Sequence, residues 1–346
     1  MKKNSKKKVV KAVKKVAKKI PKPSVSLPPE KKKYGPVSIG GRLVGEGQPV
    51  YIIAEIGINH NGDIELAKKL IDKAKEVGCD AVKFQKRTVE VVYTPEELAK
   101  PRPVEASILL KAVKRGVLPP DAVKRLKESD FENSTNGDLK RALELTEAEY
   151  REIDRYAKEK GIAWFASPWD EQSVDFLEQF NPPAYKIASA SITDNGLLKH
   201  TRAKNRPMIV STGMSDLDIV KKAVETLGKD NLVLMHTVST YPANPEELNL
   251  KAIHTLRDEF GIPVGYSGHE VGMSPAFAAA VMGASVVERH ITLDRAMWGS
   301  DQAASMEPFG FGRLVSYIRF FEKTKGTGEK KILESEVPVM KKLRRK

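Results

Sequence analysis

Two histidines, His269 in VGYSGHE and His290 in VVERHITLD, each close a short run of β-forming residues, with a helical stretch over 274–283 between them. Where strands and helices alternate, that spacing sets both imidazoles at the carboxyl ends of neighbouring parallel strands. Imidazole lone pairs gathered there are candidate ligands for a divalent ion. Two protein ligands leave the rest of the shell to water or substrate, which suits Mn²⁺- or Mg²⁺-type catalysis better than structural zinc.

Polar side chains recur where the other β-like runs end. They are Glu55, Lys83 with Gln85, Ser167, Lys186 with Ser189, Ser211, His236 with Ser239 and Tyr241, Ser267, and Glu288 ahead of His290. Lys83 and Gln85 stand two apart, so both point to one face of their strand. The interior of a parallel barrel is normally filled by branched apolar side chains. Two lysines there carry a desolvation cost unless an anion or carboxylates neutralise them. With the hydroxyls of Ser167, Ser189, Ser211 and Ser267 they form a cradle suited to a small phosphorylated acid. The plainer readings stand beside these. A lone serine or asparagine caps a turn or helix, the lysines sit in structural ion pairs, and His60, His236 and His254 are ordinary polar or core residues.

The elements that must position these residues follow from periodicity. Eight β-like runs, at 51–55, 80–85, 162–166, 185–188, 208–211, 232–236, 264–267 and 285–289, alternate with helical patterns such as 64–77, 146–160 and 217–227. Eight β/α units predict a (β/α)8 TIM barrel, an α/β fold. A short hairpin is expected ahead of it, 36–39 and 42–44 around Gly40-Gly41. Residues 94–140 form a long insertion after the second strand, partly helical, either a lid or surface decoration. A last helix is expected over 313–325. The chain thus divides into a basic arm with a proline-rich link (1–33), the barrel domain (34–326) and a charged tail (327–346).

The formal charge of +14 resembles a nucleic-acid signature, but it is local. Residues 1–33 hold 14 lysines against Glu30 alone, which leaves 45 basic and 44 acidic side chains in the remainder. The arm reads as a disordered solubilising segment, or as a basic amphipathic helix formed on an anionic surface, lipid or nucleic acid. The single cysteine, Cys79, rules out an internal disulfide and fits a reducing, cytoplasmic setting. There is no apolar run of the roughly 18–20 residues a membrane span needs, and no secretory signal core.

The stretches IIAEIGINHNGD, DAVKFQK, AYKIAS, VSTGMS, YPANPEELNL, VGYSGHEVG and VVERHITLD with WGSDQAAS resemble the sialic acid (N-acetylneuraminate) synthase family, from about residue 51 to residue 307. The resemblance implies a transferase that condenses phosphoenolpyruvate with an N-acetylated hexose, N-acetylmannosamine or its 6-phosphate. The products are a nine-carbon 2-keto sugar acid and phosphate. It implies a phosphoenolpyruvate site of Lys83, Lys186, Ser189, Ser211 and Ser267, with Ser167 where the family often has Thr and Ser239 where Asn is common. It implies a divalent metal, Mn²⁺ foremost and Mg²⁺ as the alternative, on His269 and His290, with Glu55 orienting or deprotonating a metal-bound water. Glu55, Lys83, Lys186, His269 and His290 are therefore the expected catalytic residues. Gln85, Tyr241 and Asp301 match positions that hold the acceptor sugar, and a homodimer is implied.

Two departures from the family pattern stand out. Ser191 occupies a position usually held by Glu or Asp, and the chain stops at Lys346, where many members continue into a small antifreeze-like domain. Ser191 raises an alternative, a synthase of a legionaminic- or pseudaminic-type or other keto-deoxy sugar acid. A non-enzymatic alternative is a barrel that has lost turnover and serves as a scaffold. The intact set of Glu55, both lysines and both histidines argues against it.

Overall fold

The structure, a computed structural model, describes residues 35–345; the reading of the lysine arm falls outside them. A hairpin of β1 (Val37–Ile39) and β2 (Arg42–Val44) precedes eight parallel strands. These are β3 (Tyr51–Gly57), β4 (Ala81–Lys86), β5 (Ala163–Pro168), β6 (Tyr185–Ile187), β7 (Met208–Ser211), β8 (Leu232–Thr237), β9 (Val264–Gly268) and β10 (Val286–His290). The first barrel strand pairs in parallel with the last, His290 beside Glu55, and the ladder runs on in order round to β6. β5 and β6 lie side by side without a shared ladder, so the expected TIM barrel is nearly closed.

The strand alternation sorts side chains into two environments. Ile52, Ala54 and Ile56 of β3, Val82 and Phe84 of β4, and Val287 of β10 face the surrounding helices in the large apolar layer. Their neighbours face inward in tiers. Tyr51, Ile53, Ala81, Phe165, Ile209, Val233, Met235 and Val286 form an apolar lower interior, and Val37, Ile39 and Val44 of the hairpin pack against it. The hairpin therefore plugs the amino-terminal end of the barrel. One step further along the same inward faces stand Glu55, Lys83, Ser167, Lys186, Ser211, Ser267 and Glu288. The polar tier begins where the apolar one ends, at the carboxyl end of the strands.

Local signals fix the helices between. Asp63 caps the helix Ile64–Glu76 through the amides of Glu65 and Leu66, and Thr146 and Glu149 form a reciprocal capping box on Glu147–Lys160, which ends at left-handed Gly161. The insertion folds into five short helices between Val89 and Leu143. Ile108, Leu109, Ala112, Leu118 and Leu126 gather there into a core of their own, with Trp298 packed against it. The last barrel helix departs from expectation, running Pro308–Thr324 rather than from 313. Gly310 and Gly312 do not break it: a Cβ on Gly312 would sit 3.3 Å from Val77, so glycine there permits close packing on the first barrel helix. In the tail, an exposed helix spans Val337–Leu343. No helix among the described residues is long and apolar enough to cross a membrane.

Candidate active site

The inward polar tier surrounds a cavity of about 290 Å³. Glu55, Lys83, Gln85, Ser167, Lys186, Ser189, Ser211, Ser239, Tyr241, Ser267, His269 and His290 all line it, so residues from every barrel strand or the turn after it converge. Asp301 is the one expected site residue outside the lining. It stands behind His290, with Oδ2 3.8 Å from Nδ1.

The electrostatic centre is a buried square of two lysines and two carboxylates. Lys83 pairs closely with Glu55, lies 3.9 Å from Glu288, and donates to Ser167 Oγ at 3.0 Å. Lys186 lies 3.4 Å from the same Glu288 oxygen and donates to Ser211 Oγ at 2.6 Å. Ser267 donates to Glu288 Oε1 at 3.1 Å, while Glu288 Oε2 is buried with no hydrogen-bond partner. Burial works against every charge here, and the partners decide the outcome. Lys83 ends with a raised pKa because Glu288 and Glu55 outweigh burial. Lys186 ends below the ordinary lysine range, since burial, with Lys83 nearby, outweighs the carboxylates. Burial favours the neutral acid at Glu288, but Lys186 and Lys83 together hold it down to about 2.

Beside the square stand the two imidazoles, ring centres 5.6 Å apart. His269 Nδ1–H donates to the Val238 carbonyl at 2.7 Å, which leaves Nε2 with a free lone pair. Burial, then His290, lowers its pKa to about 3, so it is neutral throughout the physiological range. His290 Nδ1 is buried without a hydrogen-bond partner. The Tyr241 ring lies 4.0 Å from that of His269, centre to centre. Among the described residues no group of three or more His, Cys, Asp or Glu forms a metal cluster, so the protein offers two imidazoles. An uncharged donor and an orphaned ring nitrogen fit a divalent ion with open positions for water or substrate.

Backbone shape keeps the site open. Gly57 takes φ +55°, and a Cβ on it would fall 3.0 Å from Glu55 Oε1, 3.2 Å from Gln85 Nε2 and 3.4 Å from His290 Cε1. At Gly213 a Cβ would collide with the hydroxyls of Ser239 and Ser189, and its amide donates to Ser189 Oγ at 3.0 Å.

Other polar residues near the strand ends are architectural. Asn59 ties its loop to Ile291 O and Ser305 Oγ at 2.9 and 2.8 Å. His60 accepts from the Gly62 amide at 3.0 Å. His236 and His254 bond the Leu248 and Met282 carbonyls at 2.7 and 2.8 Å. Ser191 is buried in the single turn Ser189–Ser191 and does not line the cavity. Conversely, sequence reasoning assigned no role to Glu288, although it stands two residues before His290 on one strand face. Trp169, Met214 and Thr237, which also line the cavity, carried no signal beyond their place after a strand.

A TIM barrel with a lysine–carboxylate square, a ring of hydroxyls and two adjacent imidazoles at its carboxyl end defines a class: enzymes that bind a small, multiply charged acid beside a candidate metal site. The family model described as the NeuB family matches residues 70–130 and 121–330. The human N-acetylneuraminate-9-phosphate synthase is 38% identical over 306 residues, 88% of this chain and 79% of its own length. The N,N'-diacetyllegionaminic acid synthase of Legionella pneumophila is 39% identical over 308 residues, 87% and 80% of the two chains. The crystal structure of an N-acetylneuraminic acid (sialic acid) synthetase from Leptospira borgpetersenii, in complex with citrate, superposes with a TM-score of 0.71 at 29% identity, covering 90% of this chain and 98% of that one. The chain belongs to the NeuB family. It is an enzyme of the sialic acid synthase type, a phosphoenolpyruvate-dependent carbon–carbon bond-forming transferase.

Proposed function

We propose that this enzyme condenses phosphoenolpyruvate with the open-chain aldehyde of an N-acetylated hexose, giving a nine-carbon 2-keto sugar acid and phosphate. The observation that carries the reading is the buried square, in which both lysines are held ready by Glu55 and Glu288 inside a ring of hydroxyls. The square sums to no formal charge. A trianionic ligand entering it competes with the carboxylates for Lys83 and Lys186, while Ser167, Ser189, Ser211 and Ser267 turn their hydroxyls toward its oxygens. His269 and His290 would hold a divalent cation, Mn²⁺ by preference. When bound, that ion supplies Lewis acidity at the aldehyde oxygen and positive charge to offset the incoming anion.

In this scheme Lys83 and Lys186 orient the enol so that C3 faces the aldehyde carbon, and the new bond forms there. Positive charge develops at C2, where the carboxylate of Glu55 stabilises it. Water adds to C2 with loss of a proton to Glu55, which passes it to the alkoxide left on the former aldehyde carbon, and the tetrahedral hemiketal phosphate collapses with C–O cleavage to ketone and inorganic phosphate, the hemiketal hydroxyl proton leaving with the phosphate. Gln85, Tyr241 and Asp301 frame the acceptor.

The test is phosphate release from phosphoenolpyruvate with Mn²⁺ across a panel of N-acetylated hexoses and their 6-phosphates, with ¹⁸O at the C2–O bridge. Release that depends on one sugar, with the label leaving in phosphate, supports the scheme. Label retained in the keto acid sinks the C–O cleavage. Similarity leaves the acceptor to local side chains, since the human and Legionella relatives stand at 38% and 39%.

A further inference from the structure

A buried ion pair joins the residues beside the two histidines. Glu270 follows His269, and Arg289 precedes His290. Arg289 Nη1 lies 2.7 Å from Glu270 Oε1, and the two side chains are 0% and 1% exposed. The same nitrogen donates to the Gly272 carbonyl at 2.7 Å, and Nη2 donates to the Glu270 carbonyl. Tyr266 donates its hydroxyl to the other carboxylate oxygen, Oε2, at 2.8 Å. One guanidinium thus grips three acceptors on the segment that follows His269. A Cβ on Gly268 would run into both carboxylate oxygens, so glycine there lets Glu270 fold back against the end of its own strand.

Strand alternation turns Glu288 and His290 into the barrel and Arg289 outward, between Val287 and Ile291 of the apolar helix layer. An apolar pair of similar volume is often as stable there as a buried ion pair, or more so, which leaves conformational specificity as the role for the charges. The strand ladder does not supply that specificity. β9 and β10 pair from Tyr266 beside Val287 to Gly268 beside Arg289, and the pairing ends one residue short of both histidines. His290 is still held on its other side, in register with Glu55 of β3. His269 has left its strand. Its ring donates to Val238 and its carbonyl accepts from the Ala243 amide at 3.1 Å, both in the loop after β8. The Arg289 fork ties the same segment to β10.

We infer that Arg289 and Glu270 are positioning residues: their ion pair sets the spacing and aim of His269 relative to His290, and with it the affinity of the two imidazoles for a divalent cation. Neither residue lines the cavity, so both act through the histidines. This inference rests on the metal reading above.

The experiment titrates Mn²⁺ into the full chain, following the free ion by its paramagnetic resonance signal, and melts each protein in parallel. The natural protein is compared with Glu270→Gln, with Arg289→Lys, and with a triple variant, Glu270→Leu, Arg289→Met and Tyr266→Phe. Glu270→Gln leaves the guanidinium buried without its counter-ion, and should lose both stability and about tenfold or more in Mn²⁺ affinity. Arg289→Lys keeps the charge but replaces the fork by one ammonium, and its affinity should fall between. The triple variant swaps the charges for apolar packing. It should recover stability relative to Glu270→Gln and still bind Mn²⁺ about tenfold more weakly than the natural protein. At saturating Mn²⁺ the KM for phosphoenolpyruvate should stay level in all three, because Lys83 and Lys186 are untouched. Variants that bind Mn²⁺ as tightly as the natural protein overturn the positioning role and leave the metal reading intact. An affinity that simply follows the melting temperature from variant to variant overturns it too, since that marks a structural pair. No Mn²⁺ uptake by the natural protein defeats the metal reading, and the positioning role with it.

Discussion

Replacing Glu288 by glutamine isolates the charge that balances the site while keeping its volume. Although burial opposes ionisation there, Lys186 and Lys83 hold this carboxyl down to about 2 from the ordinary 4.5. At about 1.4 kcal/mol per pH unit, that preference is worth on the order of 3 kcal/mol of folding stability. Because the folded pKa is depressed, the contribution is complete above the ordinary carboxylate range and is lost as pH falls from about 4.5 toward 2. Glu288→Gln removes it at neutral pH and leaves Lys186 facing Lys83. For a chain of this size the melting temperature should drop by about 4 °C. The deficit should shrink as pH rises toward Lys186's own lowered pKa, because there the unfolded chain binds more protons than the folded one. Phosphoenolpyruvate returns negative charge to the lysines, so its thermal shift should be larger in the variant than in the natural protein. Paired melts with and without phosphoenolpyruvate measure both effects. An unchanged melting temperature without ligand, or a smaller ligand shift in Glu288→Gln, would refute the account of Glu288 as resident counter-ion.

His269→Ala should lose bound Mn²⁺, read by elemental analysis, together with turnover; full metal content in the variant excludes this histidine as a ligand. Gly57→Ala should cost roughly 1–2 kcal/mol in stability, from the left-handed backbone and the crowding of Glu55. It should also lower kcat, and an unperturbed melt would show that the loop relaxes freely.

Much of the architecture was legible in the amino-acid order because its causes are local. All eight barrel strands fall within two residues of the runs read from alternation, and β7 matches at both ends. The helix Leu217–Leu227 also matches, with Asp216 as its cap. Period two placed Lys83 and Gln85 on one inward face, and the register confirms it: Lys83 lies beside Glu55 and Phe165, while Gln85 lies beside Ser167. The helix Pro308–Thr324 was read short at its start because two glycines look like breakers in sequence, and their use in packing appears only against Val77.

What tertiary structure alone decided is which charges meet. Glu288 comes within reach of Lys83, more than two hundred positions earlier, because the ring brings β10 back beside β3, and it meets Lys186 of β6 across the barrel interior. Periodicity records the face on which a side chain stands, since that depends on residues two to four away. Coulomb energy and desolvation depend on partners in space, and chain closure, which no local pattern encodes, selects those partners.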